Sequence, residues 1–217
     1  MIIFAYNIYI SKHVVRSAQK FSLEGTQTEF PILVLGDSTA VGVGADTKDG
    51  TLAGRIAHYT HSGFVENYAQ SGARTRDLSA QVAKAQLSEY ALILIQIGGN
   101  DIIRFQSATK TAKLLENLHL PVAHQVLVVS AGNVGGTTFF PFFMRPYYTR
   151  ENMRYHAHLK DVCDQLGYTY VNLFVPKNND VFILHPDIYL SADGLHPSSA
   201  GYAIWFEIIR PFLKITH

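Results

Sequence analysis

The stretch "FPILVLGDSTAVGVG", residues 30–44, decides the fold. Its apolar half, Pro31–Leu35, is a continuous Leu and β-branched run with no polar alternation, as in a strand buried on both faces. The run stops at Gly36, Asp37, Ser38 and Thr39, and small residues follow. A core strand has no need of an acid and two hydroxyls at its tip, so the tip is where chemistry is sought.

Outward from this stretch the chain alternates. Helix-like 51–61 is followed by a short strand, 63–70, and a helical segment, 75–87, by a second buried strand, 90–99. Helix 107–119 precedes strand 124–132, and helix 149–167, with Thr149 suited to the N-cap and Gly167 to the C-cap, precedes strand 168–174. Helix 198–213 closes the pattern. Strands alternating with helices predict one α/β domain, a three-layer αβα sandwich with a five-stranded parallel sheet. In such sheets ligands bind beyond the carboxyl ends of the strands.

The bulk numbers agree with a single folded domain. Of 217 residues 47% are hydrophobic and 16% charged, and the formal net charge is +1, which points away from nucleic acid as a partner. The one cysteine, Cys163, excludes an internal disulfide and disfavours a cysteine-based zinc site. His58 and His61 share a predicted helix without a third ligand, and His156 and His158, two apart, point to different faces as solvated or core-edge residues. No metal and no organic cofactor is expected.

The segment 1–29 stands apart from the domain expected over 30–217. Its apolar start, "MIIFAYNIYI", is ten residues long, and a bilayer span needs about 20. It lacks the basic n-region and small-residue cleavage site of a secretory signal. Ile10, Val14 and Val15 near helical spacing, with Lys12, Arg16 and Lys20 interleaved, fit an amphipathic helix packed on the domain, a helix on a membrane surface, or the remnant of an anchor. Location in the cell and oligomeric state are not legible.

Small polar groups gather at the predicted strand ends. Ser71 and Gly72 follow the second strand, Gly98–Asp101 the third, and "SAGNVGG" (130–136) the fourth; "SADGLHPSSAGY" (191–202) lies before the last helix. A serine becomes a nucleophile when a base takes its proton and a third group holds that base in the right tautomer. Ser38, His196 and Asp193 supply those three parts. Acyl transfer also needs donors for the oxyanion, and the backbone N–H groups of Ser38 and Gly72 with the Asn100 amide are candidates. Gly72 is expected to bring its N–H close because it has no side chain. Asp37 and Asp101 read as acids that hydrogen-bond loop backbone, and Asn67 and Thr75 as residues shaping the second loop.

Four blocks in order, "GDST" with Ser38, "NYAQSG" with Gly72, "GGND" with Asn100 and "DGLHP" with Asp193 and His196, resemble the SGNH/GDSL hydrolases. The resemblance runs from about residue 31 to 213. It implies a flavodoxin-like fold and a lipase-like serine esterase, with catalytic Ser38, Asp193 and His196 and an oxyanion hole of Ser38, Gly72 and Asn100. The substrate class is then a small-molecule or acyl ester, with thioesters also within reach. Thioesterase/lysophospholipase-like and acetylesterase-like members are resembled alike.

Two rivals are weaker. A dinucleotide- or phosphate-binding module would place its glycines directly after the first strand or end its loop in Gly-Lys-Ser/Thr; Gly42 and Gly44 come late and Lys48 precedes Asp49. A catalytically inactive binding domain would lack one of the expected groups. His185 is a candidate for the pocket wall, and the aromatic stretch "GGTTFFPFFMRPYY" (135–148) for an acyl pocket or lid.

Overall fold

The computed structural model describes residues 2–214. Five strands form one sheet: β1 (Ile32–Gly36), β2 (Val65–Asn67), β3 (Glu89–Ile97), β4 (Val122–Ser130) and β5 (Thr169–Val171). All pairings are parallel, in the order β2-β1-β3-β4-β5. This is the doubly wound flavodoxin-like order, whose switch point lies between β1 and β3. Register sets Gly36 beside Gln96, so β1 and β3 deliver their loops side by side.

Ten α-helices occur among the described residues. They are α1 (Ile2–Ser17), α2 (Ser38–Val41), α3 (Leu52–Tyr59), α4 (Leu78–Val82) and α5 (Gly99–Ile103), then α6 (Ala108–Glu116), α7 (Arg145–Leu166), α8 (Val181–Leu184), α9 (Pro186–Tyr189) and α10 (Ser199–Ile209). The two-residue repeat of the strands divides the core. Ile32, Val34, Leu92, Leu94, Leu127 and Val129 face Leu52 and Ile56 of α3 and Tyr202, Trp205 and Ile209 of α10. Leu33, Leu35, Ile93, Ile95 and Val128 face Leu78 of α4, Leu115 of α6 and Tyr155, Leu159 and Cys163 of α7. Both faces of the sheet are covered, which is why its central strands carry no polar alternation.

Element ends differ from the sequence reading where tertiary packing decides them. The second and last strands shrink to three residues each, because β2 and β5 are edges with one neighbouring strand apiece. Helix α7 begins at Arg145, with Pro146 in its first turn, four residues before the expected Thr149 cap. Thr149 lies inside the helix, where its hydroxyl donates to Asn133 Oδ1 (3.0 Å). Gly167 closes α7 at φ 71°, as expected.

The residues before β1 fold onto the sheet's helical layer. Val14 and Val15 of α1 and Ala18 just after it pack against the α3/α10 side of the core, and Leu23 makes an antiparallel bridge to Val65. No helix among the described residues is long and apolar enough to cross a membrane.

Candidate active site

The chain leaves β1 at Gly36 and turns at once into α2. Asp37 caps that helix: its Oδ1 accepts from the backbone N–H of Thr39 (2.9 Å) and from the Thr39 hydroxyl (2.8 Å). Asp37 is thus occupied with loop backbone, as its sequence context suggested. Burial raises its pKa to about 6 against those two hydrogen bonds and the nearby His196. Gly36 is braced by Gln81 of α4, whose carboxamide accepts from the Gly36 N–H (2.7 Å) and donates to the Gly36 carbonyl (2.9 Å).

Ser38, set at the first position of α2, meets His196 from the loop before α10. Ser38 Oγ lies 2.8 Å from His196 Nε2, and His196 Nδ1 lies 2.6 Å from Asp193 Oδ2. Asp193 only accepts, so Nδ1 carries the ring proton and Nε2 is left to accept from the serine. Asp193 is itself fixed: its Oδ1 accepts from the Ser191 hydroxyl (2.8 Å) and from the N–H groups of Leu195 and His196 (3.0 Å each). Its burial opposes ionisation, but the His196 hydrogen bond and charge and the backbone N–H donors prevail and hold the carboxyl well below the usual range.

The loops that carry these groups touch. At Gly44 (φ 94°) a Cβ would fall 2.3 Å from the Pro197 carbonyl, so only glycine lets the loop after Ser38 lie against the loop of His196. Tyr202 adds a hydrogen bond from its hydroxyl to the Val43 carbonyl (2.9 Å).

Gly72 and Asn100 come to the same place from the tips of β2 and β3. Ser38, Gly72, Asn100 and His196 line one cavity of about 220 Å³. Gly72 is glycine for its backbone angle (φ 81°); the space for a Cβ is open, its nearest neighbour being Arg104 Nη2 at 3.8 Å. The reason for glycine is therefore conformational rather than steric. Asp101 ties these two loops together, accepting from the Thr75 N–H (3.1 Å), the Thr75 hydroxyl (3.0 Å) and Gln106 Nε2 (2.7 Å). Burial raises its pKa. Asn67 does similar work, donating to the Ala40 carbonyl (3.0 Å) and accepting from Ala69 N–H (3.1 Å).

A family model described as "GDSL-like Lipase/Acylhydrolase family" matches residues 34–204. The chain belongs to the GDSL-like lipase/acylhydrolase family. It is therefore a carboxylic ester hydrolase by membership. No curated protein sequence matches it. Among solved structures it is similar to TesA, at 20% identity and TM-score 0.61, covering 85% of this chain and 98% of that one. It is also similar to a mutant of Axe2, an acetyl-xylooligosaccharide esterase from Geobacillus Stearmophilus, at 19% identity and TM-score 0.64, covering 87% and 99%. A G-D-S-L protein from Veillonella parvula is similar at 14% identity and TM-score 0.60, covering 83% and 96%. At these identities the likeness is one of fold, and it extends to the five-stranded parallel sheet.

The rest of the acylhydrolase cavity holds residues that sequence blocks did not announce. Ser11 and Val15 of α1 form part of its wall, as do Asp180, Phe182, Leu190 and Trp205. The inward stripe of α1 was visible in its spacing; what it covers was not. His185 is exposed at the junction of α8 and α9 and does not line the cavity; its neighbours Asp180 and Phe182 do. The aromatic stretch splits three ways. Gly136 and Thr137 reach the cavity, Phe139 and Phe140 pack on the α7 side of the core, and Phe142 and Phe143 face outward. Its end, from Arg145, is the first turn of α7. His58 is exposed and paired with Asp49 (2.8 Å). His156, expected at a solvated or core-edge position, is buried in a network of its own, because the inward face of the long α7 carries it under β4 and β5.

Proposed function

We propose that this acylhydrolase cleaves carboxylic esters through an acyl-enzyme on Ser38. The observation that carries the reading is the unbroken relay from Asp193 through His196 to Ser38, opening on a cavity that Gly72 and Asn100 also line. Ser38 Oγ attacks the carbonyl carbon while His196 Nε2 takes its proton. Asp193 keeps the imidazole in the accepting tautomer and stabilises the imidazolium. The N–H groups of Ser38 and Gly72 and the Asn100 amide receive the oxyanion. The alcohol leaves with the proton from His196. Water, deprotonated by the same nitrogen, then attacks the acyl carbon; Ser38 regains its proton and the acid departs. Every proton in this cycle is accounted for by His196, so the scheme calls on no metal or organic cofactor.

The cavity favours a short acyl group. At about 220 Å³ it is smaller than the roughly 300–1,000 Å³ that encloses a drug-sized ligand. Its wall is mainly apolar, with Phe182, Leu190 and Trp205 among its residues. An acetyl-ester preference like that named for Axe2 fits this size.

Two measurements test the reading. A fluorophosphonate should form one adduct, on Ser38, and Ser38→Ala should lose p-nitrophenyl acetate turnover by at least about a thousandfold; an adduct on another serine, or an unchanged rate, removes Ser38 as nucleophile. Across p-nitrophenyl esters from acetyl to palmitoyl, kcat/KM should peak at the short end. A peak at palmitoyl would sink the size argument while leaving the relay in place.

A further inference from the structure

Helix α1 has two faces, and the catalytic domain uses one. Asn7, Ile10, Ser11, Val14 and Val15 form a half-buried inner stripe at helical spacing. Through it Ser11 and Val15 reach the cavity, and the Asn7 amide donates to the Phe139 carbonyl (3.2 Å). The outer face is left unpartnered by the domain. Tyr6 and Tyr9 are 61% and 60% exposed, with Ile8 beside them. Lys12 and Arg16 follow on the helix and Lys20 just beyond it, all exposed. No aspartate or glutamate occurs before Glu24.

The Asn7 contact on the inner stripe ties α1 to Phe139, three residues before the tip of the aromatic loop. There Phe142 and Phe143 are 79% and 69% exposed, the two most exposed large hydrophobic side chains among the described residues. Aromatic rings on one part of a rim and uncompensated cations on another are what a headgroup layer accommodates: rings at the acyl boundary, ammonium and guanidinium groups against anionic lipid. A second copy of this chain is a poorer occupant, because face-to-face pairing would set Lys12, Arg16 and Lys20 against their own kind.

We propose that the rim made by the outer face of α1 and the Phe142–Phe143 tip docks on an anionic lipid surface. The two elements that would touch the lipid, α1 and the 135–148 loop, are the same two that supply Ser11, Val15, Gly136 and Thr137 to the cavity wall. Docking therefore sets the cavity beside the lipid, and an ester held in the bilayer reaches Ser38 past them. This last clause rests on the ester-hydrolase reading; the docking itself does not.

The test uses the full chain and vesicles of phosphatidylcholine with and without phosphatidylglycerol. The chain should sediment with the phosphatidylglycerol vesicles and bind plain phosphatidylcholine about tenfold more weakly, the difference vanishing in high salt. The double variant Lys12→Glu/Arg16→Glu should lose the preference for anionic vesicles. Tyr9→Ser/Phe143→Ser should weaken binding to both, about tenfold. Both variants should keep wild-type p-nitrophenyl acetate turnover in vesicle-free buffer, which reports that they are folded. Equal affinity for the two vesicle types, or undiminished binding by both variants, overturns the proposal. So does a concentration-dependent dimer in ultracentrifugation that Tyr9→Ser/Phe143→Ser abolishes, since a second copy would then be the occupant. Absent turnover in wild type with vesicle binding intact would strike the ester-hydrolase reading alone.

Discussion

Among the described residues two buried histidines each lie within hydrogen-bond reach of a serine, and one of them, His196, lines the cavity. His196 presents Nε2 to Ser38 and is held from behind by Asp193. His156 has Nδ1 2.9 Å from Ser130 Oγ and 2.6 Å from the Tyr170 hydroxyl, and Nε2 3.0 Å from Asn152 Nδ2. Asn152 Oδ1 accepts from the Val134 N–H (2.8 Å), which fixes its amide with the NH2 toward the ring. That NH2 donates, so Nε2 is the accepting nitrogen of His156 and Nδ1 carries the proton. Ser130 therefore meets a donor. A serine beside a histidine is a general-base pair only when the group on the far side of the ring accepts. Asp193 accepts, and Asn152 donates.

The sharpest way to break the contrast is Asp193→Asn, which offers His196 the kind of neighbour His156 has. A donating carboxamide stabilises the tautomer protonated on Nε2, leaving nothing to take the proton of Ser38. We expect kcat for p-nitrophenyl acetate to fall by about a thousandfold to ten-thousandfold, with the fold retained in circular dichroism. A loss below about tenfold would mean that the carboxylate does not select the tautomer.

The second way uses pH and stability. Burial lowers the pKa of His156 from 6.5 to about 4, with no carboxylate to oppose it. Between those values the unfolded chain binds a proton that the folded chain refuses, so stability is whole above about pH 6.5 and falls as pH drops toward 4. The loss from this one residue is on the order of 3 kcal/mol. Urea titrations across that range should show it, and His156→Phe should flatten the slope. An equal slope in the variant would assign the acid sensitivity elsewhere.

The smallest expected effect tests the partner of the relay. Asn100→Ala should lower kcat by about a hundredfold while leaving the urea midpoint near wild type, as loss of one oxyanion donor does. An unchanged rate would take Asn100 out of the hole.

The sequence carried much of the architecture because burial on both faces of a parallel sheet leaves a mark that needs no partner to be read: "PILVL", "LILI" and "VLVV" are apolar without alternation. The candidate site residues stood out for a related reason. Ser38, Gly72, Asn100, Asp193 and His196 are each a small polar departure at the end of such a run or in a tight loop. His156 was not legible, since a histidine on a helix face says nothing about whether β4 and β5 will cover it. Nor was the wall made by Ser11 and Val15, or the division of the aromatic stretch into core, cavity and exposed tip. Those depend on contacts such as Asn7 to Phe139, more than a hundred residues apart, that no local pattern encodes.

Gln81 bears on all of this from an unexpected side. Its carboxamide has the same donor and acceptor as a peptide unit, and it meets both backbone groups of Gly36 where β2 has already ended. It works as a shim: a removable piece of sheet, mounted on α4, whose Leu78 packs on the opposite side of the sheet from Ala40 and Val41 of α2. The turn that carries Ser38 is thereby tied to both layers of the sandwich. A shift of α4 against the sheet would pull on Gly36, two residues before Ser38.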